Sequence, residues 1–219
     1  MKKLLFLLLV LFFIILTIFK VDANNLTFPL IGKTIVIDPG HGGVDQGANY
    51  QDIFEAKLNL EISIHLKKEL EKHGAVVIMT REGNYDLSRP NAIYRKKSDF
   101  DNRIKLINNS DADLYLSIHL NKYTNASYYG PQIFYVGRFK ENKTLARILQ
   151  DELNEELKTR RDIKTLGNNY YMYEKLNVKG VLIECGFLSN TKERTNLLKE
   201  DYQKKFVKIV ARSIIKYYS

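Results

Sequence analysis

The stretch TIVIDPGHGG, Thr34–Gly43, joins an apolar, β-branched run to a glycine turn that carries His41. Such a run favours a buried strand, and the proline and glycines end it. A second run, LYLSIHLN at Leu114–Asn121, delivers His119 where its apolar residues stop. A third, GVLIECGFLSN at Gly180–Asn190, brings Glu184 to the same kind of position. Glu55 lies between the two histidines in sequence. Two imidazoles and a carboxylate would supply the three protein ligands of an open zinc site, and the pattern points to metal-assisted hydrolysis. The glycine turn has neither the spacing of a dinucleotide fingerprint nor a P-loop lysine.

Outward from these runs, strands and helices alternate. Strands are expected at Lys33–Asp38, Ala75–Thr80, Leu114–His119, Gln132–Val136 and Gly180–Glu184, with a short extra one at Tyr170–Tyr173. Helices are expected at Glu55–His73, Phe100–Asn109, Asn142–Lys158 and Asp201–Tyr218. The first repeats Leu58, Ile62, Leu66 and Leu70 on one face and stops at His73-Gly74. Near-continuous apolar strands between amphipathic helices imply an α/β domain with a mostly parallel, twisted sheet of about six strands, covered by helices on both faces. Ligands on such sheets collect at the carboxyl ends of the strands, where His41, His119 and Glu184 lie.

The chain has 219 residues. Lys2 and Lys3 precede an apolar run from Leu4 to Phe19, and Lys20 follows it. This reads as a signal peptide or membrane anchor over residues 1–23, slightly shorter than the about 20 apolar residues of a spanning helix. The lysine pair favours the N-terminus inside and the remainder outside. Residues 24–32 read as a linker and 33–219 as one folded domain, roughly 190 residues with a full core. Cys185 is the single cysteine, which excludes an intramolecular disulfide and reads as packing. The formal net charge of +9 suits anionic surroundings such as wall polymers or lipid headgroups. No nucleic-acid motif accompanies it, and the basic residues are interspersed with acids, so no nucleic-acid partner is expected.

Several candidate residues have two readings. Glu55 opens a helix, where an acid complements the dipole, yet its carboxylate can also return to the His41 turn. Glu61 and His65 share a helix face at i, i+4 but have no partner at a strand end, so they read as a boundary pair. His73 reads as a helix cap. Glu184 would be costly as an unpaired core carboxylate, and either an arginine or a metal with its water would relieve it.

With its other motifs, the chain resembles the zinc-dependent N-acetylmuramoyl-L-alanine amidases, which cut the lactyl amide joining muramic acid to the stem peptide. The resemblance covers nearly all of Lys33–Tyr218. It rests on IDPGHGG, on Glu55 with Lys57-Leu58-Asn59-Leu60, on Thr80-Arg81, on Ser117–Asn121 and on Ile183–Asn190. It implies zinc ligands at His41, Glu55 and His119 and a catalytic glutamate at Glu184. Asn121 and Arg81 are candidates for substrate contact or for loop hydrogen bonds, and Arg103 for a helix-surface or anchoring cation.

Within the family the chain looks most similar to short, membrane-anchored members of the CwlD type, which act on spore cortex peptidoglycan on the way to muramic-δ-lactam. The Arg160-Arg161 pair is part of that likeness. This implies peptidoglycan as substrate, a site between the membranes of the developing spore, membrane contact through the N-terminal segment, and an envelope protein or lipoprotein as activator. Lys122–Gly130 is too short to carry the zinc-occluding insertion of the daughter-cell-separating members. Two rival functions are a zinc carboxypeptidase of the stem peptide and a non-catalytic wall-binding protein of the same fold.

Overall fold

Alternation within the first strand sets up two cores. In the computed structural model, which describes residues 28–167 and 170–219 together with Lys3 and Phe6, Thr34–Pro39 forms β1. Ile35 and Ile37 enter one hydrophobic cluster and Val36 the other, as the period of two requires. A two-residue hairpin follows, β2 (Asn49–Tyr50) and β3 (Ile53–Phe54), and leads into helix α1 (Glu55–Lys72). Then come β4 (Val76–Met79), α2 (Arg95–Asn108), β5 (Leu114–Asn121), β6 (Gln132–Tyr135) and α3 (Lys140–Leu157). The chain ends with β7 (Lys164–Thr165), α4 (Tyr171–Glu174), β8 (Gly180–Phe187), α5 (Thr191–Leu197) and α6 (Glu200–Tyr218).

The six-stranded sheet runs β4-β1-β5-β8-β6-β7. β4, β1, β5 and β8 are mutually parallel, while β6 is antiparallel to β8. On one face α1, α3 and α6 contribute Leu58, Leu66, Leu149, Leu153, Phe206 and Val210 to the larger core. On the other, Ile107 of α2 and Met172 and Tyr173 of α4 pack against Val36, Tyr115 and Leu182. The expected α/β sandwich is thus present in the described residues.

Tyr170–Tyr173 is not a strand. Residues Tyr171–Glu174 form one helical turn, with the Tyr173 amide donating to the Tyr170 carbonyl at 3.0 Å. Four aromatic-rich residues carry no periodicity that separates the two states. The sixth strand is Lys164–Thr165, exposed and polar, paired in parallel with Phe134 and Tyr135. β5 and β8 also run past His119 and Glu184, to Asn121 and Phe187, with a register irregularity between His119 and Asn121. Cys185 is fully buried, and burial pushes its thiol pKa well up.

The expected anchor, 1–23, lies outside the described residues apart from Lys3 and Phe6. No described helix is long and apolar enough to cross a membrane. The expected linker, 24–32, is described from Phe28, and within it Leu30 is fully buried and its amide donates to the His73 carbonyl at 2.9 Å. Packing therefore begins before residue 33.

Arg103 does not sit on a helix surface; it is 1% exposed. Its guanidinium donates to Asp38 Oδ1 at 2.7 Å, to Asp99 Oδ2 at 3.0 Å, to the Pro39 carbonyl at 2.9 Å and to the His41 carbonyl at 2.7 Å. Burial alone would raise the Asp38 pKa. The Arg103 charge and hydrogen bonds from Thr80 and Arg103 outweigh it, leaving the pKa below the usual 3.8. The stabilisation is therefore present above that pH and fades as pH falls beneath it. Replacing Arg103 with leucine strands two buried carboxylates and is expected to cost about 3–5 kcal/mol. Urea unfolding of both proteins at neutral pH checks this, and a loss under about 1 kcal/mol contradicts it.

Candidate metal centre

His41 leaves β1 in a conformation that side chains rarely adopt, with φ 62°. The turn is gripped from behind. Its Gly40 amide donates to the Ile118 carbonyl at 2.9 Å, and Arg103 holds the His41 carbonyl. Arg81 donates to the carbonyls of Pro39, Gly40 and Ala56 at 3.0, 2.9 and 2.8 Å. This accounts for the fate of Arg81, which is 1% exposed and faces the loop's backbone instead of a substrate. On the outer side, His41 Nδ1 lies 3.0 Å from Asp45 Oδ1, which orients the ring and turns Nε2 toward Glu55, 3.3 Å away.

Glu55 begins α1 and is 3% exposed. Its Oε2 accepts from the Ala48 amide at 2.7 Å, and its Oε1 accepts from the Leu120 amide at 3.1 Å and from Asn59 Nδ2 at 3.2 Å. The same Oε1 lies 3.1 Å from His119 Nδ1. The far side of His119 is also held: Nε2 lies 3.3 Å from the Tyr173 hydroxyl, which lies 3.0 Å from Ser117 Oγ. Ser117 Oγ in turn donates to Asp38 Oδ2 at 3.1 Å.

One donor atom each from His41, Glu55 and His119 lies within 4.8 Å of the others, a spacing that one metal ion can bridge. Burial opposes charge on His41, yet the hydrogen bonds to Asp45 and Glu55 raise its pKa to about 9. Burial likewise opposes the Glu55 carboxylate, and the two histidines lower its pKa nevertheless. Without a metal the cluster is thus a proton-holding site.

Glu184 is the register partner of His119 across β5 and β8, so both side chains leave the same face of the sheet. Glu184 Oε2 is buried with no hydrogen-bond partner among the described residues. Burial pushes its pKa up to about 8; the Glu55 charge adds to this and His41 opposes it. A dication at the three donors would favour the ionised form. Two imidazoles, one carboxylate and an adjacent orphaned acid form a donor set that fits zinc with an open position.

Asn121 lines a groove beside Glu184. Glu61 and His65 stay at the boundary, Glu61 accepting from Gln203 of α6 at 3.4 Å. His73 caps α1 as expected. Lys122–Gly130 contains no helix. Asp45 and Tyr173 were not foreseen as contributors, and Asn59 entered only as part of the family motif, without a role. Asn59 lies one helical turn after Glu55, a spacing that puts both on one face, so its signal was present.

Close approach explains two glycines. A Cβ at Gly40 would run into the His119 ring. At Gly47, φ +67°, it would lie 2.6 Å from Glu55 Oε2 and 2.7 Å from His41 Cδ2. Gly40→Ala is expected to lower uptake of a divalent metal ion at least about tenfold by displacing the His119 ring, one of the three candidate ligands, while circular dichroism stays native. Equilibrium dialysis checks this, and wild-type uptake contradicts it.

Comparison with known proteins identifies the family. Residues 35–216 match the Amidase_3 family model, N-acetylmuramoyl-L-alanine amidase. The chain is 40% identical over 218 residues to the germination-specific N-acetylmuramoyl-L-alanine amidase of Bacillus subtilis (strain 168), covering 95% of this chain and 92% of the relative. Among solved structures it is similar to the CwlD amidase of Clostridioides difficile in complex with the GerS lipoprotein, at 37% identity and a TM-score of 0.80, over 85% of this chain and 98% of that one. An N-acetylmuramoyl-L-alanine amidase from Clostridium difficile 630 matches at 30% identity and a TM-score of 0.74, over 84% and 96% of the two chains. A strand-end cluster of donor groups on this sheet, spanned by that family's model almost from end to end, makes the chain a member of the N-acetylmuramoyl-L-alanine amidase family.

Proposed function

We propose that the chain hydrolyses the amide between N-acetylmuramic acid and the L-alanine of the stem peptide in spore cortex peptidoglycan, with zinc held by His41, Glu55 and His119. The observation that carries this reading is the meeting of those three donors beside an unpartnered buried Glu184. Zinc at this place supplies Lewis acidity, both for activating water and for polarising the scissile carbonyl. Glu184 accepts the proton that the attacking water loses and returns it to the departing alanine nitrogen as the carbon–nitrogen bond breaks. Asp45 and Tyr173 orient the two imidazoles, and the Ala48 and Leu120 amides hold the Glu55 carboxylate. Asn121, on the groove wall, is suited to contact substrate.

The cortex assignment, as a step toward muramic-δ-lactam, draws on the germination-specific relative. It fits a chain held outside the cytoplasmic membrane by residues 1–23, between the membranes of the developing spore. The Clostridioides difficile CwlD structure is a complex with a lipoprotein, which supports an envelope lipoprotein as the proposed activating partner of this chain. A carboxypeptidase would release single amino acids, whereas the proposed reaction releases whole stem peptides; mass analysis of products from purified peptidoglycan separates them.

Glu184→Gln is expected to keep zinc and lose about 10²–10⁴-fold in turnover, the usual worth of a positioned acid–base group. His119→Ala is expected to lose both zinc and turnover. Zinc content with product release checks the pair, and a fully active Glu184→Gln protein rules out the assigned base. Zinc must also displace the proton that His41 holds below about pH 9. Apparent zinc affinity is therefore expected to weaken as pH falls, about tenfold per unit for one proton. Competition titrations at pH 8 and pH 6 check it, and equal affinities contradict it.

A further inference from the structure

Beyond Glu184 the sheet carries a groove of about 350 Å³ that crosses from β8 over β6 to β7. At its edge stands Arg161, just before β7, whose side chain is fixed on several sides. Its Nε donates to the Tyr129 carbonyl at 2.8 Å. Its guanidinium lies 4.7 Å over the Phe187 ring and 5.2 Å over the Tyr128 ring. The backbone is fixed as well: the Arg161 amide donates to Asn154 Oδ1 at 3.0 Å, and Asn154 Nδ2 donates to the Arg161 carbonyl at 2.7 Å.

For all this support, the guanidinium makes no close ion pair among the described residues, though its charge reaches Glu193. Among the described residues neither terminal nitrogen of Arg161 has a hydrogen-bond partner, and Nη2 is buried. The nearby acids are engaged elsewhere: Asp162 pairs with Arg147 at 2.7 Å, and Glu193 accepts from the Gly130 and Phe187 amides, each at 2.8 Å. Lys164 adds a second cation to the same groove. A guanidinium fixed beside two adjoining aromatic rings, with Nε engaged and Nη2 buried, leaves Nη1 to give a carboxylate one charge-assisted hydrogen bond. A second basin, about 240 Å³ and lined by Arg160, shares Tyr128 and Arg161 with the first, so the cation stands where an extended ligand would pass.

We propose that Arg161, assisted by Lys164, is a specificity-determining subsite for a free carboxylate of the stem peptide, holding the peptide in the groove while its first amide lies at Glu184. This rests on the amidase reading. On the glycan side the lactyl carboxyl is consumed in the scissile amide, so the anion belongs to the peptide side.

The test uses the zinc-loaded Glu184→Gln protein, full chain, and calorimetric binding of synthetic muramoyl tripeptides. One has both the D-glutamate α-carboxyl and the C-terminal carboxyl free, and two have one or the other amidated. Amidating the recognised carboxyl is expected to weaken binding about 10- to 100-fold, the worth of a charged hydrogen-bonded pair, and the arm that weakens identifies which carboxyl it is. Adding Arg161→Gln is expected to weaken the free acid by a similar factor and to erase the preference, leaving zinc content unchanged. Lys164→Gln, which touches no core, is expected to lower the preference in part, and serves if Arg161→Gln does not fold. Equal binding of acid and amides overturns the subsite while leaving the amidase reading intact. No binding of any muramoyl peptide overturns both.

Discussion

One buried guanidinium holds the site in place. Arg103 reaches from α2 through the sheet's carboxyl edge to Asp38 and to the carbonyls of Pro39 and His41. A left-handed residue with a bulky side chain is unfavourable by itself and persists where its surroundings over-determine it. Arg103 and Arg81 do so, by occupying the carbonyls that the sharp turn leaves without partners. The imidazole can therefore point into the site because its backbone is secured from below.

The same anchor serves the second histidine. Asp38 Oδ1 accepts from Thr80 and Arg103, and Oδ2 accepts from Ser117, which meets the Tyr173 hydroxyl behind His119. A single carboxylate beneath the sheet edge thus supports both imidazoles. Glu55 closes the arrangement from the helix side, spanning Ala48 in the loop and Leu120 on β5. Each candidate ligand is held by at least one group from another element, which is how a first set of donors keeps its geometry.

The three central strands were legible, though not the ends of β5 and β8, because an apolar run that delivers a histidine or glutamate has few structural explanations. β1, β5 and β8, and with them His41, His119 and Glu184, follow from that pattern alone. Glu55 needed the family likeness, since an acid in a first turn has a sufficient local reason. What lay hidden was the support. Arg103 was open between a helix-surface and an anchoring cation, and Asp99 was not singled out, yet both lie on the buried face of α2 that Ile107 continues. Tyr173 was obscured by a wrong strand, because four residues cannot reveal a period. β7 has only two exposed residues and gains its pairing from tertiary context.

Cys185 follows Glu184 on the strand, yet its sulfur is sealed in the larger core. A thiol so placed, with ionisation disfavoured, is inert to oxidants and alkylating reagents. The folded chain can therefore be handled in air without a reductant. That matters for a hydrolase with a candidate metal centre, because the thiols used as reductants are themselves chelators.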